Sequence, residues 1–225
     1  MESKRVLILY HSLTGRTAEV VTRIDAALRD GGHVTDRHRM MAAEPWEFPI
    51  SRTRFLWRNA QCWAGMDMNM PILPLDLGEG PWDHVVLGTQ TWHLNPAFPV
   101  LAFLDSDEAE VLRGKIVTPV ITCRNRWRSC LEILTRKLLQ RGARVAGAYV
   151  LSDPPQHLMP TLFYLFNGHD PTPGSFFEER SGRPFHFAEE DLATADAFGA
   201  QLARQLGEGE ITIPGEPTVV HDQEG

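Results

Sequence analysis

The chain is expected to be an α/β protein built on an open, doubly wound parallel sheet, and two features of its 225 residues point there. Short, continuously apolar runs alternate with stretches that carry apolar residues at helical spacing, the pattern of strands buried on both faces and joined by helices. Between the first apolar run and the first helix lies Ser12-Leu13-Thr14-Gly15-Arg16-Thr17, a hydroxyl-rich loop with a single glycine, placed where a helix N-terminus can receive an anion.

Arg5 to Tyr10 reads as the first strand and Ala18 to Leu28 as the first helix, stopped by Asp30-Gly31-Gly32. His33 to Arg39 is a more polar strand, which places it toward a sheet edge. Residues 40–81 form an insertion rich in Trp, Met, Arg and Pro. Within it Arg52 to Met66 is expected to be a helix whose Phe55, Trp57, Cys62 and Trp63 pack against the sheet, or else line a substrate pocket. Val85 to Gly88 is a second buried strand, and Ile116 to Thr122 a third, running through Cys123-Arg124-Asn125-Arg126-Trp127 into a helix from Arg128 to Gln140 capped at Gly142. Val145 to Leu151 is the last strand and Leu192 to Leu206 the last helix. The stretch 152–188 between them is too long for a plain connection. Its apolar run, including Leu162 to Phe166, suits a helix at the domain edge or at a homodimer interface, or alternatively a lid or a membrane-contacting patch. Residues 1–207 are thus expected to form one domain, followed by an irregular tail over 208–225.

Composition narrows the function. A formal charge of -7 argues against nucleic acid, whose binding surfaces are basic. Three cysteines, Cys62, Cys123 and Cys130, give neither a disulfide framework nor a C-x-x-C motif, so a reducing compartment fits. The first residues run straight into a strand with no signal-peptide pattern, and no apolar run approaches 18 residues, so a cytoplasmic protein without a transmembrane segment is expected. His33 and His38, five apart with no carboxylate cluster, read as surface or strand-edge residues, and no metal site is expected.

In a doubly wound sheet, ligands bind beyond the C-terminal ends of the strands, where the strand order reverses. Three loops leave such ends: 12–17, 89–95 and 123–127. The first lacks the Gly-Lys-Ser/Thr ending of a nucleotide-triphosphate loop and the three glycines of a dinucleotide fingerprint, and suits a terminal monophosphate. In the second, the indole of Trp92 can stack on a planar heterocycle, and His93 beside it is the candidate proton donor or acceptor. The third carries Arg124, Arg126 and Arg128, cations that favour an anionic form of whatever binds beside them.

Ser12-Leu13-Thr14-Gly15-Arg16-Thr17 and Gly88-Thr89-Gln90-Thr91-Trp92 resemble the flavodoxin-like FMN proteins, over roughly residues 4–150 and the last helix. The resemblance implies a three-layer sandwich with five parallel strands in the order 2-1-3-4-5, helices on both faces and an insertion before the last helix. It implies FMN, with its phosphate on Ser12, Leu13, Thr14, Gly15, Arg16 and Thr17 and its isoalloxazine against Trp92. Thr89, Gln90, Thr91, Cys123, Arg124, Asn125 and Trp127 are then also expected at the cofactor, Asn125 at its pyrimidine edge and Cys123 through its backbone. More narrowly, Gly88 to Pro96 and Cys123 to Trp127 are similar to a flavodoxin-like group associated with dialkylresorcinol biosynthesis. That similarity implies an FMN-dependent oxidoreductase of secondary metabolism acting on a small cyclic carbonyl or quinone-like compound, with aromatisation of a cyclohexanedione as its sharpest form. His93 and Arg124 are the catalytic candidates. The alternatives are an NAD(P)H-dependent quinone reductase and an electron-transfer flavodoxin.

Overall fold

The computed structural model describes residues 2–44, 50–63, 70–78, 80–92, 94–124, 126–152, 187–209, 211 and 216–221. Of the expected excursion over 152–188, residues 153–186, which include its apolar run, lie outside these residues, as do His93 and Asn125.

Among the described residues the sheet runs along six parallel strands, in the order β2 (Val34–Arg39), β1 (Arg5–Tyr10), β3 (His84–Trp92), β5 (Ile116–Cys123), β7 (Ala148–Ser152) and β8 (Pro217–Val220). β4 (Asn95–Pro96) turns back against β3, and β6 (Arg144–Val145) pairs with β5 just ahead of β7. The first five positions of this order are the expected 2-1-3-4-5, and the class is the expected α/β sandwich. Val6, Leu7, Ile8 and Leu9 are all completely buried, as a central strand covered on both faces requires, whereas the polar β2 lies at the sheet edge.

Alternation along the strands feeds two cores. Val6 and Ile8, with Val86, Val120, Tyr149 and Leu151, pack under α1 (Arg16–Asp30) and α5 (Glu189–Glu208). Leu7 and Leu9, with Val85, Leu87 and Val117, pack under α3 (Phe98–Asp105) and α4 (Trp127–Gln140). Each such side chain, fully buried, contributes about 1.5–3 kcal/mol. The α1–α5 seam is unusually close: a Cβ built at Gly199 would lie 2.8 Å from the Ala27 Cβ and 3.1 Å from the Ile24 Cα.

Five elements depart from the expected pattern. β3 does not stop at Gly88 but continues through Thr89, Gln90, Thr91 and Trp92, all at home in a strand, and the Thr89 hydroxyl fixes the return by accepting from the Ala97 N–H at 3.1 Å. α3 and the 3-10 turn Asp107–Leu112 gave no amphipathic signal, because Phe-Pro-Val-Leu-Ala-Phe-Leu is apolar on every side. The tail is not wholly irregular: Pro217 to Val220 pair with Ala148 to Leu151, and Ser152 Oγ donates to the Val220 carbonyl at 3.2 Å. Finally, α2 (Arg52–Trp63) does not bury Trp57 against the sheet, since that residue is 63% exposed. The side chains of Cys62 and Trp63 lie outside the described set.

Candidate functional site

β1, β3 and β5 end side by side, and the parallel register that pairs Tyr10 with Gly88 and Gly88 with Val120 brings their following loops to one edge. Gly88 makes this possible. A Cβ there would come within 2.8 Å of the Tyr10 Cβ and 2.9 Å of a Val21 methyl, so its hydrogen lets α1 settle onto the strand ends.

The loop after β1 leads into α1 through Gly15, whose φ of 92° an L side chain rarely adopts. Ser12 is buried, and its Oγ accepts from the Ala18 N–H at 3.1 Å. The amides of Thr14 and Gly15 make no hydrogen bond among the described residues, which leaves donors at the head of α1 for an anion. That arrangement fits a terminal phosphate. The hydroxyls do not all converge on it as the spacing suggested. Thr17 is buried, and its Oγ1 is committed inward, to Gln90 at 3.1 Å and to Thr122 Oγ1 at 2.8 Å. The Arg16 guanidinium lies 3.8 Å from the centre of the Phe187 ring.

Gln90 is the hub of the site. Its amide orientation, assigned from the hydrogen-bond network, gives each atom a partner. The nitrogen donates to Thr17 Oγ1 at 3.1 Å and to the His11 carbonyl at 3.2 Å, while the oxygen accepts from the Leu13 N–H at 3.2 Å and the Trp92 Nε1–H at 3.1 Å. Gln90 thus faces the loop after β1. Trp92 is half-buried, edge-on to His11 with centroids 5.8 Å apart and edge-on to Phe98 at 5.3 Å.

Two site residues were missed in the sequence. The Arg39 guanidinium, at the end of β2, donates to the Ser12 carbonyl at 2.5 Å. His11 is buried beside it, with Nδ1 2.8 Å from the Met40 carbonyl and Nε2 buried without a partner among the described residues. A carbonyl can only accept, so Nδ1 carries the proton and Nε2 presents a lone pair. Burial, with the nearby Arg39 charge as a lesser cause, pushes the His11 pKa below its usual 6.5 despite the opposing hydrogen bond. The signal was available: a 2-1-3 strand order sets the end of β2 next to the loop after β1, and Arg39 ends that strand.

The loop after β5 divides. Cys123 is buried in register with Ser152, Arg124 is half-buried, and Arg126, at φ 62°, is exposed ahead of α4. Trp127, expected at the cofactor, instead packs in the core with Ile121, Cys123, Cys130 and Val150, because the first turn of α4 points it back onto the sheet. Arg128 lies over that ring at 4.8 Å. Cys130 is completely buried, and burial pushes its thiol up to about 12, which excludes it as a nucleophile at neutral pH.

His33, expected at the surface or at a strand edge, directly precedes the edge strand β2 but is buried: its Nδ1 accepts from the Lys4 N–H at 3.2 Å, and its Nε2 donates to the Ala203 carbonyl at 2.8 Å. No group of three metal-ligating side chains occurs among the described residues. No helix among them is long and apolar enough to cross a membrane.

No family model matches the chain, and no curated protein matches it. Solved structures do. A flavoprotein from Lactobacillus acidophilus, in complex with FMN, is 18% identical with a TM-score of 0.50, the alignment covering 66% of this chain and 93% of that one. Oxidised Flavodoxin 2 from Bacillus cereus is 17% identical with a TM-score of 0.50, over 89% of this chain and 99% of that one. At such identities the likeness concerns the backbone: the chain has a flavodoxin-like α/β fold.

Proposed function

We propose that the protein is an FMN-dependent oxidoreductase. The observation that carries this reading is the head of α1: amides at Thr14 and Gly15 that no described residue engages, under a positive-φ glycine and next to an indole that Gln90 holds at the adjacent strand end. FMN is the phosphate-bearing heterocycle that combination suits, and the Lactobacillus acidophilus flavoprotein of the same fold was solved with it. When bound, FMN supplies electron or hydride transfer through its isoalloxazine.

The chain's own residues then have distinct tasks. Thr14 and Gly15 offer amides to the phosphate, and Arg16 and Arg39 set a positive potential around the loop. Trp92 walls one side of the heterocycle, its rotation limited by Gln90, His11 and Phe98. Arg124, half-buried beyond β5, stabilises negative charge developing on the heterocycle or on a bound enolate. His93, next in sequence to Trp92, is the residue to which proton exchange with substrate is assigned. The substrate is a small cyclic carbonyl or quinone-like compound, in its sharpest form a cyclohexanedione that is aromatised, and NAD(P)H is the reductant where the reaction runs toward reduction.

Anaerobic photoreduction of the FMN-loaded protein tests the two-electron character that Arg124 implies. The expected result is passage from oxidised to fully reduced flavin with little neutral radical. Accumulation of a stable blue radical would mean a one-electron carrier instead.

A further inference from the structure

We infer that Gln90 is a positioning residue that couples the phosphate loop to Trp92, so that an anion bound at the loop is felt at the wall of the heterocycle site. The inference rests on the FMN reading and adds to it a role for a side chain whose polar atoms are engaged by the protein itself.

Three features carry it. All four hydrogen-bonding positions of one carboxamide are taken, two by the backbone of the loop (the His11 carbonyl and the Leu13 N–H), one by Thr17, and one by the Trp92 indole. The next step, Thr17 Oγ1 to Thr122 Oγ1 at 2.8 Å, extends the network to β5, so a single chain of hydrogen bonds spans the ends of β1, β3 and β5. The network is buried at its β5 end, where Thr17 is 1% and Thr122 4% exposed, and half-buried at Gln90, Leu13 and Trp92. A network with every position filled has few alternative arrangements, and a change in one partner must be accommodated by the others. Leu13 N–H lies one residue before the amide donors of Thr14 and Gly15, so an anion that draws those amides forward shifts the Leu13 peptide and, through Gln90, the indole. Neither glutamate nor leucine can replace this. Glutamate would set an oxygen against the His11 carbonyl and a negative charge beside the anion, and leucine would leave four partners unmet.

The test is a double-mutant cycle on FMN binding, using Gln90→Leu, Trp92→Phe and the pair, read as the dissociation constant, the quenching of flavin emission and the melting temperature of the apoprotein. Trp92→Phe keeps a stacking ring but removes the N–H. Each single change is expected to weaken FMN binding about tenfold or more, and the pair to bind no more weakly than Gln90→Leu alone, because the same link is already broken. Gln90→Glu is expected to bind more weakly still than Gln90→Leu. Fully additive losses, or a Gln90→Leu protein that melts lower yet binds FMN with unchanged affinity and unchanged quenching, would overturn the coupling role. Failure of the wild-type protein to bind FMN would instead overturn the cofactor assignment, and the two failures are therefore distinguishable.

Discussion

His84 shows how a single buried side chain sets a pH limit on the fold. Completely buried on β3, it donates from Nε2 to Thr118 Oγ1 at 2.9 Å, since that hydroxyl spends its own proton on the Ala146 carbonyl at 3.0 Å. Burial lowers its pKa from 6.5 to about 4. Between those values the unfolded chain binds a proton that the folded chain refuses, so stability is full above pH 6.5 and falls as the pH drops toward 4. The loss attributable to His84 is about 3 kcal/mol, and His11, shifted in the same direction, adds to it. Denaturant unfolding across this range should show the decline, and His84→Gln, which keeps a donor near Thr118, should remove most of it. A wild-type stability that is flat from pH 6.5 to 4 would contradict the assignment.

At the level of helices and strands, close approach at glycine decides the packing. Gly199→Val places a branched side chain where even a Cβ meets Ala27 and the Ile24 backbone. Overpacking there should cost about 1–3 kcal/mol, read as a lower denaturant midpoint with little change in slope. β8 covers the edge of β7 and is tied to α5, with His221 Nε2 2.7 Å from Asp191 Oδ1. Deleting residues 217–225 should lower the melting temperature by several degrees, at about 2–4 °C per kcal/mol for a chain of this size, and expose a strand edge that promotes association. These elements also show what the sequence could reveal. β1 and the first half of β3 were legible because complete burial demands unbroken apolar runs, and the loop 12–17 because a hydroxyl-rich stretch with one glycine stands out between a strand and a helix. α3 was not, because an all-apolar helix carries no periodicity, and β8 was not, because Pro-Thr-Val-Val is too short to stand out until β7 is there to pair with it. Within the site, the loop and Trp92 were legible as neighbours. The inward turn of Thr17, the burial of Trp127 and the arrival of Arg39 depend on contacts between strands far apart in the chain.

Taken over the entire chain, a protein of charge -7 carries four arginines at the strand ends that flank the proposed site: Arg16 and Arg39 at the loop after β1, Arg124 and Arg126 after β5. These cations are what joins the proposed phosphate site to the proposed redox role. The phosphate should therefore dominate recognition, with the ring contributing through Trp92. The most direct measurement is a paired titration of the apoprotein with FMN and with riboflavin, which has the same ring but no phosphate, at matched ionic strength. The account predicts tight binding of FMN with quenched flavin emission, and binding of riboflavin weaker by roughly a hundredfold, the order expected when two or more charge-assisted hydrogen bonds are lost. Equal affinity for the two, or no binding of FMN, would contradict it.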